Sequence, residues 1–160
     1  MRLTLIAVGK LRAGPDRDLF NRYWGRLETS ARAAGLTAVT HTDLPESRAA
    51  TAAERKADEA KRTMKAAGSE GFMIALDETG TSLTSAGFAQ HMRRLADSGT
   101  PALSILIGGP DGHDQTIHAR ASLLLNLGTL TLPHGLARIV IAEQLYRATT
   151  ILSGHPYHRV

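Results

Sequence analysis

Leu103-Ser104-Ile105-Leu106-Ile107 runs straight into Gly108-Gly109-Pro110-Asp111-Gly112. A short, nearly unbroken apolar run that ends in glycines reads as a strand buried on both faces, as in a parallel sheet. The same kind of strand recurs on either side. Residues 3–8 (LTLIAV) end in Gly9, residues 72–76 read FMIAL, and residues 123–127 form a short fifth strand. Residues 36–41 read as one more, after Gly35.

Helices separate these strands. Residues 16–34 carry Leu19, Phe20, Tyr23, Trp24 and Leu27 at helical spacing. Residues 51–67 open with Thr51 and Glu54, a capping box, and stop at Gly68. Residues 84–96 follow the turn residues Gly80, Thr81 and Ser82, and a long final helix opens near Pro133 with Gly154 beyond its end. Strands alternating with helices give an α/β fold. The expectation is three layers, with a largely parallel sheet and helices on both faces, in one domain over residues 1–160.

Composition narrows the function. No cysteine is present, which excludes a disulfide framework and thiolate metal sites and agrees with a cytoplasmic home. The apolar start is too short for a signal peptide, and no run approaches a bilayer span, so no membrane partner is expected. Nineteen Lys and Arg against 15 Asp and Glu give a formal charge of +4. From Pro133 to Val160 there are three arginines and three histidines against a single acid, Glu143. A basic end of this kind suits phosphates, and it equally suits a solvated helix face.

Ligands of open α/β sheets bind outside the carboxyl ends of strands. Three such ends carry glycine or polar turns: Leu76-Asp77-Glu78-Thr79-Gly80, residues 108–112, and Gly128-Thr129-Leu130-Thr131-Leu132-Pro133-His134. Glycine lets a ligand approach the backbone closely, so three such ends make a small-molecule site. No G-x-G-x-x-G follows the first strand, where VGKLRAG stands, and there is neither a P-loop nor a G-x-S-x-G elbow. A nicotinamide oxidoreductase is therefore remote. His155-x-x-His158 has loose metal-ligand spacing but no third ligand, so no metal is expected. Glu143 stands four residues before Arg147, a favourable ion pair on a helix face whose default role is structural.

The end of the chain is more specific. Thr131-Leu132-Pro133-His134, Ala137-Arg138, residues 142–148 (AEQLYRA) and His155-Pro156-Tyr157-His158-Arg159 closely resemble the RlmH family. These are SPOUT-class methyltransferases that act on N3 of a pseudouridine in 23S ribosomal RNA. Residues 7–10 (AVGK) and 106–112 (LIGGPDG) match as well, as do Leu76, Asp77 and Gly80. The likeness spans nearly the whole chain and is weakest over residues 11–69.

The resemblance implies a C-terminal trefoil knot, a homodimer, and S-adenosylmethionine as methyl donor, leaving S-adenosylhomocysteine. The substrate partner it implies is 23S rRNA in the ribosome or large subunit. By position, cofactor contacts fall on Leu76, Gly108, Leu127, Gly128, Thr129, Leu130, Thr131 and Leu132, with Gly109 adjacent. NLGT stands where the family pattern has a serine-containing stretch, a change that backbone contacts tolerate.

For the chemistry, His158 is a candidate base for the N3 proton, with solvent as the alternative. Arg147 and Arg159 suit RNA phosphate or a developing uracil oxyanion, and Tyr157 suits either base stacking or packing of the tail. A knotted RNA-binding protein without catalysis is the competing reading. The final helix is apolar on more than one face, so a face beyond the one packed on the sheet needs a partner, which the resemblance implies is the same helix of a second chain.

Overall fold

The computed structural model describes residues 1–158; Arg159, one of the residues expected to contact RNA, lies outside them. The strands are β1 (Arg2–Val8), β2 (Ala38–Leu44), β3 (Phe72–Ser82), β4 (Ala102–Ile107) and β5 (Leu123–Asn126). The helices are α1 (Pro15–Ser30), α2 (Ala52–Ala67), α3 (Ser85–Asp97), α4 (Gln115–Arg120) and α5 (His134–Ser153). The strands form one sheet in the order β2-β1-β4-β3-β5, and every paired neighbour is parallel.

Because side chains alternate across a strand, β1 and β4 feed two cores. Leu3, Leu5, Ala7, Leu103, Ile105 and Ile107 face the larger one, which α1, α3 and α5 cover with Trp24, Phe88, Met92, Ile141 and Leu145. Ile6 and Leu106 face the smaller one, with Met73, Ala75, Ala60 of α2 and Ile117 of α4. Helices thus lie on both faces, as the alternation of elements predicts. The 2 % exposed Arg138 side chain on α5 donates to Asp43 Oδ1 at 2.7 Å and to the Gly9 carbonyl at 2.8 Å. It fixes the start of α5 against the carboxyl ends of β1 and β2.

Several element boundaries depart from the sequence pattern. The first helix ends at Ser30 and tightens into a 3-10 turn, Ala31–Ala34. The second strand begins at Ala38 instead of residue 36. Leu36 is buried, and its N–H returns to the Ala31 carbonyl at 3.1 Å, so it closes the preceding turn. The third strand does not stop at Leu76. After an excursion through Asp77-Glu78-Thr79-Gly80 it rejoins β5, pairing Thr81 with Leu125, so these turn residues belong partly to the sheet. A Cβ on Gly80 would stand 2.6 Å from the Leu124 carbonyl, and only glycine lets the two segments pass so closely. The six-residue α4 has no counterpart in the sequence reading, being too short to show a helical period. The capping box of α2 forms as expected, with Thr51 and Glu54 satisfying each other's backbone N–H groups.

Candidate active site

The carboxyl ends of β3, β4 and β5 open into one cavity of about 430 Å³. Its walls include Leu76, Asp77 and Glu78 after β3, residues 107–113 after β4, and residues 125–128 and 130–132 after β5, with His134 and Ala137 of α5. Of the expected cofactor contacts, Leu76, Gly108, Gly109, Leu127, Gly128, Leu130, Thr131 and Leu132 line this cavity together. Thr129 does not, and it is exposed.

The middle loop is shaped by its glycines. A Cβ on Gly108 would meet the Gly112 backbone at 3.0 Å, and one on Gly109 would meet Glu59 Oε2 at 2.6 Å and Val8 Cγ1 at 3.1 Å. Helix α2 holds this loop from behind. Arg55 donates to both oxygens of Asp111, at 2.7 and 3.1 Å, which keeps the Asp111 carboxyl below its usual range. One turn on, Glu59 is buried against Gly109 and accepts from the Ser47 N–H at 2.8 Å.

The outer two loops are tied to each other by Asn126. It donates to the Glu78 carbonyl at 2.6 Å and accepts from the Gly128 N–H at 2.5 Å, while Gly128 takes a φ of 136° that other residues avoid. Asp77 closes the first loop by accepting from the Thr79 N–H and hydroxyl, and its other oxygen meets His118 Nε2 at 2.9 Å. Burial works to raise the Asp77 carboxyl, but the Thr79 hydrogen bonds and His118 hold it below its usual range.

Two histidines on the cavity wall are shifted below the ordinary histidine range, which favours the neutral imidazole. Burial, with His118 adding to it, lowers the His113 imidazole, and Asp77 acts the other way. Burial and then Arg138 lower His134, against Glu46, the Gly108 backbone and Asp43. His113 is 9 % exposed and its Nε2 has no hydrogen-bond partner among the described residues. Asn126, Arg55, Glu59, His113 and His118 are site residues that the sequence reading missed. No spacing marks them, because most of the groups they meet lie in other elements.

The expected RNA-facing residues sit elsewhere on the chain. Arg147 donates to Glu143 from Nε at 2.9 Å, the ion pair that the i,i+4 spacing predicts, and its guanidinium carbon lies 4.9 Å from the centre of the Tyr157 ring. Tyr157 donates to the same Glu143 oxygen at 2.9 Å and packs on Tyr146, with ring centres 4.7 Å apart. Burial, then Glu143, push the Tyr157 phenol upward, so it stays protonated. Neither Arg147 nor Tyr157 nor His158 lines the cavity. Arg147 is ten residues beyond Ala137 on α5, about 15 Å along the helix at 1.5 Å per residue.

A family model described as "Predicted SPOUT methyltransferase" matches residues 1–158. The chain belongs to the SPOUT methyltransferase family. Similar proteins named "Ribosomal RNA large subunit methyltransferase H" occur in Rhizobium meliloti, at 52% identity, and in Brucella anthropi, at 50%, each aligned over 99% of both chains. The protein of that name in a Methylobacterium species is 48% identical over 99% of this chain and 98% of its own. Family membership implies the trefoil knot expected above. Among the described residues, no group of three or more His, Cys, Asp or Glu could hold a metal ion, and no helix is long and apolar enough to cross a membrane.

Proposed function

We propose that this SPOUT-family chain methylates N3 of a pseudouridine in 23S rRNA of the large subunit, in the cytoplasm, with S-adenosylmethionine as donor. The observation that carries the reading is the convergence of three strand-end loops on one glycine-walled cavity. Its size lies within the range of small-molecule sites. Its chemistry also fits the cofactor. Leu76, Leu125, Leu127 and Leu132 offer apolar wall for an adenine, while Glu78 offers a carboxylate to hydroxyl and cationic groups. The full-length likeness to proteins named as ribosomal RNA methyltransferases supports the substrate class.

When bound, the cofactor supplies a methyl group activated by a sulfonium. The chain's own work is to fix that group in line with the attacking nitrogen and to keep water out. The three loops do the first through backbone groups at Leu76, Gly108, Leu127, Gly128, Leu130, Thr131 and Leu132, with Gly109 giving clearance. The tail, His155 to Arg159, bears on the substrate. Within one chain Arg147, Tyr157 and His158 lie away from the cavity, so the site is completed by the tail of a second copy in a two-fold dimer. There Arg147 and Arg159 hold phosphate or the developing oxyanion, Tyr157 stacks on a base, and His158 accepts the N3 proton.

The competing reading, an RNA-binding protein without catalysis, has no need of the loop cradle. Calorimetry with S-adenosylmethionine and S-adenosylhomocysteine, paired with methyl transfer to ribosomes lacking the modification, separates the two. Binding without transfer would leave the competing reading standing, and absence of both would remove the enzyme reading.

A further inference from the structure

We propose that a second groove, opening off the cofactor cavity between the loop after β1 and the first turn of α5, holds the RNA beside the target base, with Lys10 and Arg12 on phosphate and Glu46 on a ribose hydroxyl. This rests on the methyltransferase reading and adds where the substrate strand lies on this chain.

The groove encloses about 470 Å³ and shares Pro110 and His134 with the cofactor cavity. A base that receives the methyl group must enter the first cavity, so its flanking nucleotides lie on surface that borders this cavity. Among the described residues, two further hollows share wall residues with the cavity. One, of about 280 Å³ beside β5 and α3, has no charged side chain on its walls, and the other holds only about 10 Å³. A phosphodiester needs cations, and of the three only the groove after β1 has both the volume and the charge.

Lys10 and Arg12 are exposed in the groove, and neither forms an ion pair with a described carboxylate. Glu46 and Asp16 stand on the same walls. Cations alone would make a site for any anion. Cations with carboxylates suit a ribonucleotide, whose phosphate takes the cations while its 2′-OH and base N–H groups donate to the acids. Gly9, at φ 93°, allows the loop to turn at the end of β1, and Glu46 Oε1 lies 3.1 Å from where a Gly9 Cβ would stand. A Cβ at this position would press on the carboxylate, which would have to give by a few tenths of an ångström.

The test is a Lys10→Ala/Arg12→Ala double variant assayed on ribosomes lacking the modification, with S-adenosylhomocysteine affinity measured by calorimetry. The expected result is a KM for ribosomes raised about a hundredfold, tenfold per charged contact, with cofactor affinity unchanged. The salt dependence of log KM should flatten by about 1.4, from 0.7 for each lost phosphate contact. Unchanged KM and salt slope in a variant that binds S-adenosylhomocysteine normally would overturn the groove assignment and leave the methyltransferase reading intact. Failure of the unaltered protein to bind cofactor would instead overturn that reading. Should the double variant misfold, a photo-crosslinking amino acid at Ala13, an exposed groove residue, gives the second measurement. It should crosslink to 23S rRNA, and its failure to do so in a protein that still methylates ribosomes would reject the groove.

Discussion

Arg55 of α2 and Asp111 of the loop after β4 meet side by side, guanidinium to carboxylate, through two hydrogen bonds of 2.7 and 3.1 Å. The pair joins a helix that covers the smaller core to a wall of the cavity at the strand ends. Both side chains are partly open to water, so its value lies more in fixing the loop than in global stability.

Arg55→Ala should therefore leave the melting temperature almost unchanged and weaken S-adenosylhomocysteine binding several-fold. Calorimetry beside a thermal melt reads both. A large drop in melting temperature with unaltered affinity would mean that the pair serves the fold instead.

Gly108→Val should abolish cofactor binding while the far-UV spectrum stays near that of the parent. The added Cβ would press on the Gly112 backbone at 3.0 Å, so the loop must move, and overpacking of this kind costs about 1–3 kcal/mol. Undiminished affinity would take Gly108 out of the site.

Removing residues 155–160 should spare folding and dimerisation but eliminate methyl transfer to ribosomes. Tyr157→Phe loses only the hydrogen bond to Glu143, a loss of about 1 kcal/mol, and should keep the dimer intact. Light scattering at micromolar concentration checks assembly. A strictly monomeric protein with full activity would contradict completion of the site by a second copy.

Stability should fall as pH drops below the ordinary histidine value of 6.5, because His113 and His134 are depressed in the folded state. Between the unfolded and folded values the unfolded chain binds more protons, so stability rises with pH across that window and levels off above it. Melting temperatures from pH 7.5 to 5 should show the slope, and His113→Leu should flatten it. An unchanged slope would place the titrating groups elsewhere.

The apolar run of residues 103–107 and its repeats made the parallel α/β sheet legible, because strands buried on both faces must be apolar throughout. The same residues ended in glycines, so three candidate strand ends could be named, and all three line one cavity. Boundaries were less legible. Leu36 looks like a strand residue and closes a turn, and the six residues of α4 are too few to display a period.

What the sequence by itself determined were features carried by single segments: strand and helix type, the Thr51 cap, the Glu143–Arg147 pair and the glycine-rich loops. Each depends on residues a few positions apart, and short-range spacing is visible in a string of letters. Only the tertiary structure decided that Asn126 ties Glu78 to Gly128, that Arg55 and Glu59 brace the loop of residues 108–112, and that burial drives His113 and His134 toward neutrality. Those effects arise from groups up to dozens of residues apart, and desolvation exists only once the chain has packed around them. The separation of Tyr157 and Arg147 from the cavity belongs to the same class, since it is set by the length and direction of α5 and not by the residues themselves.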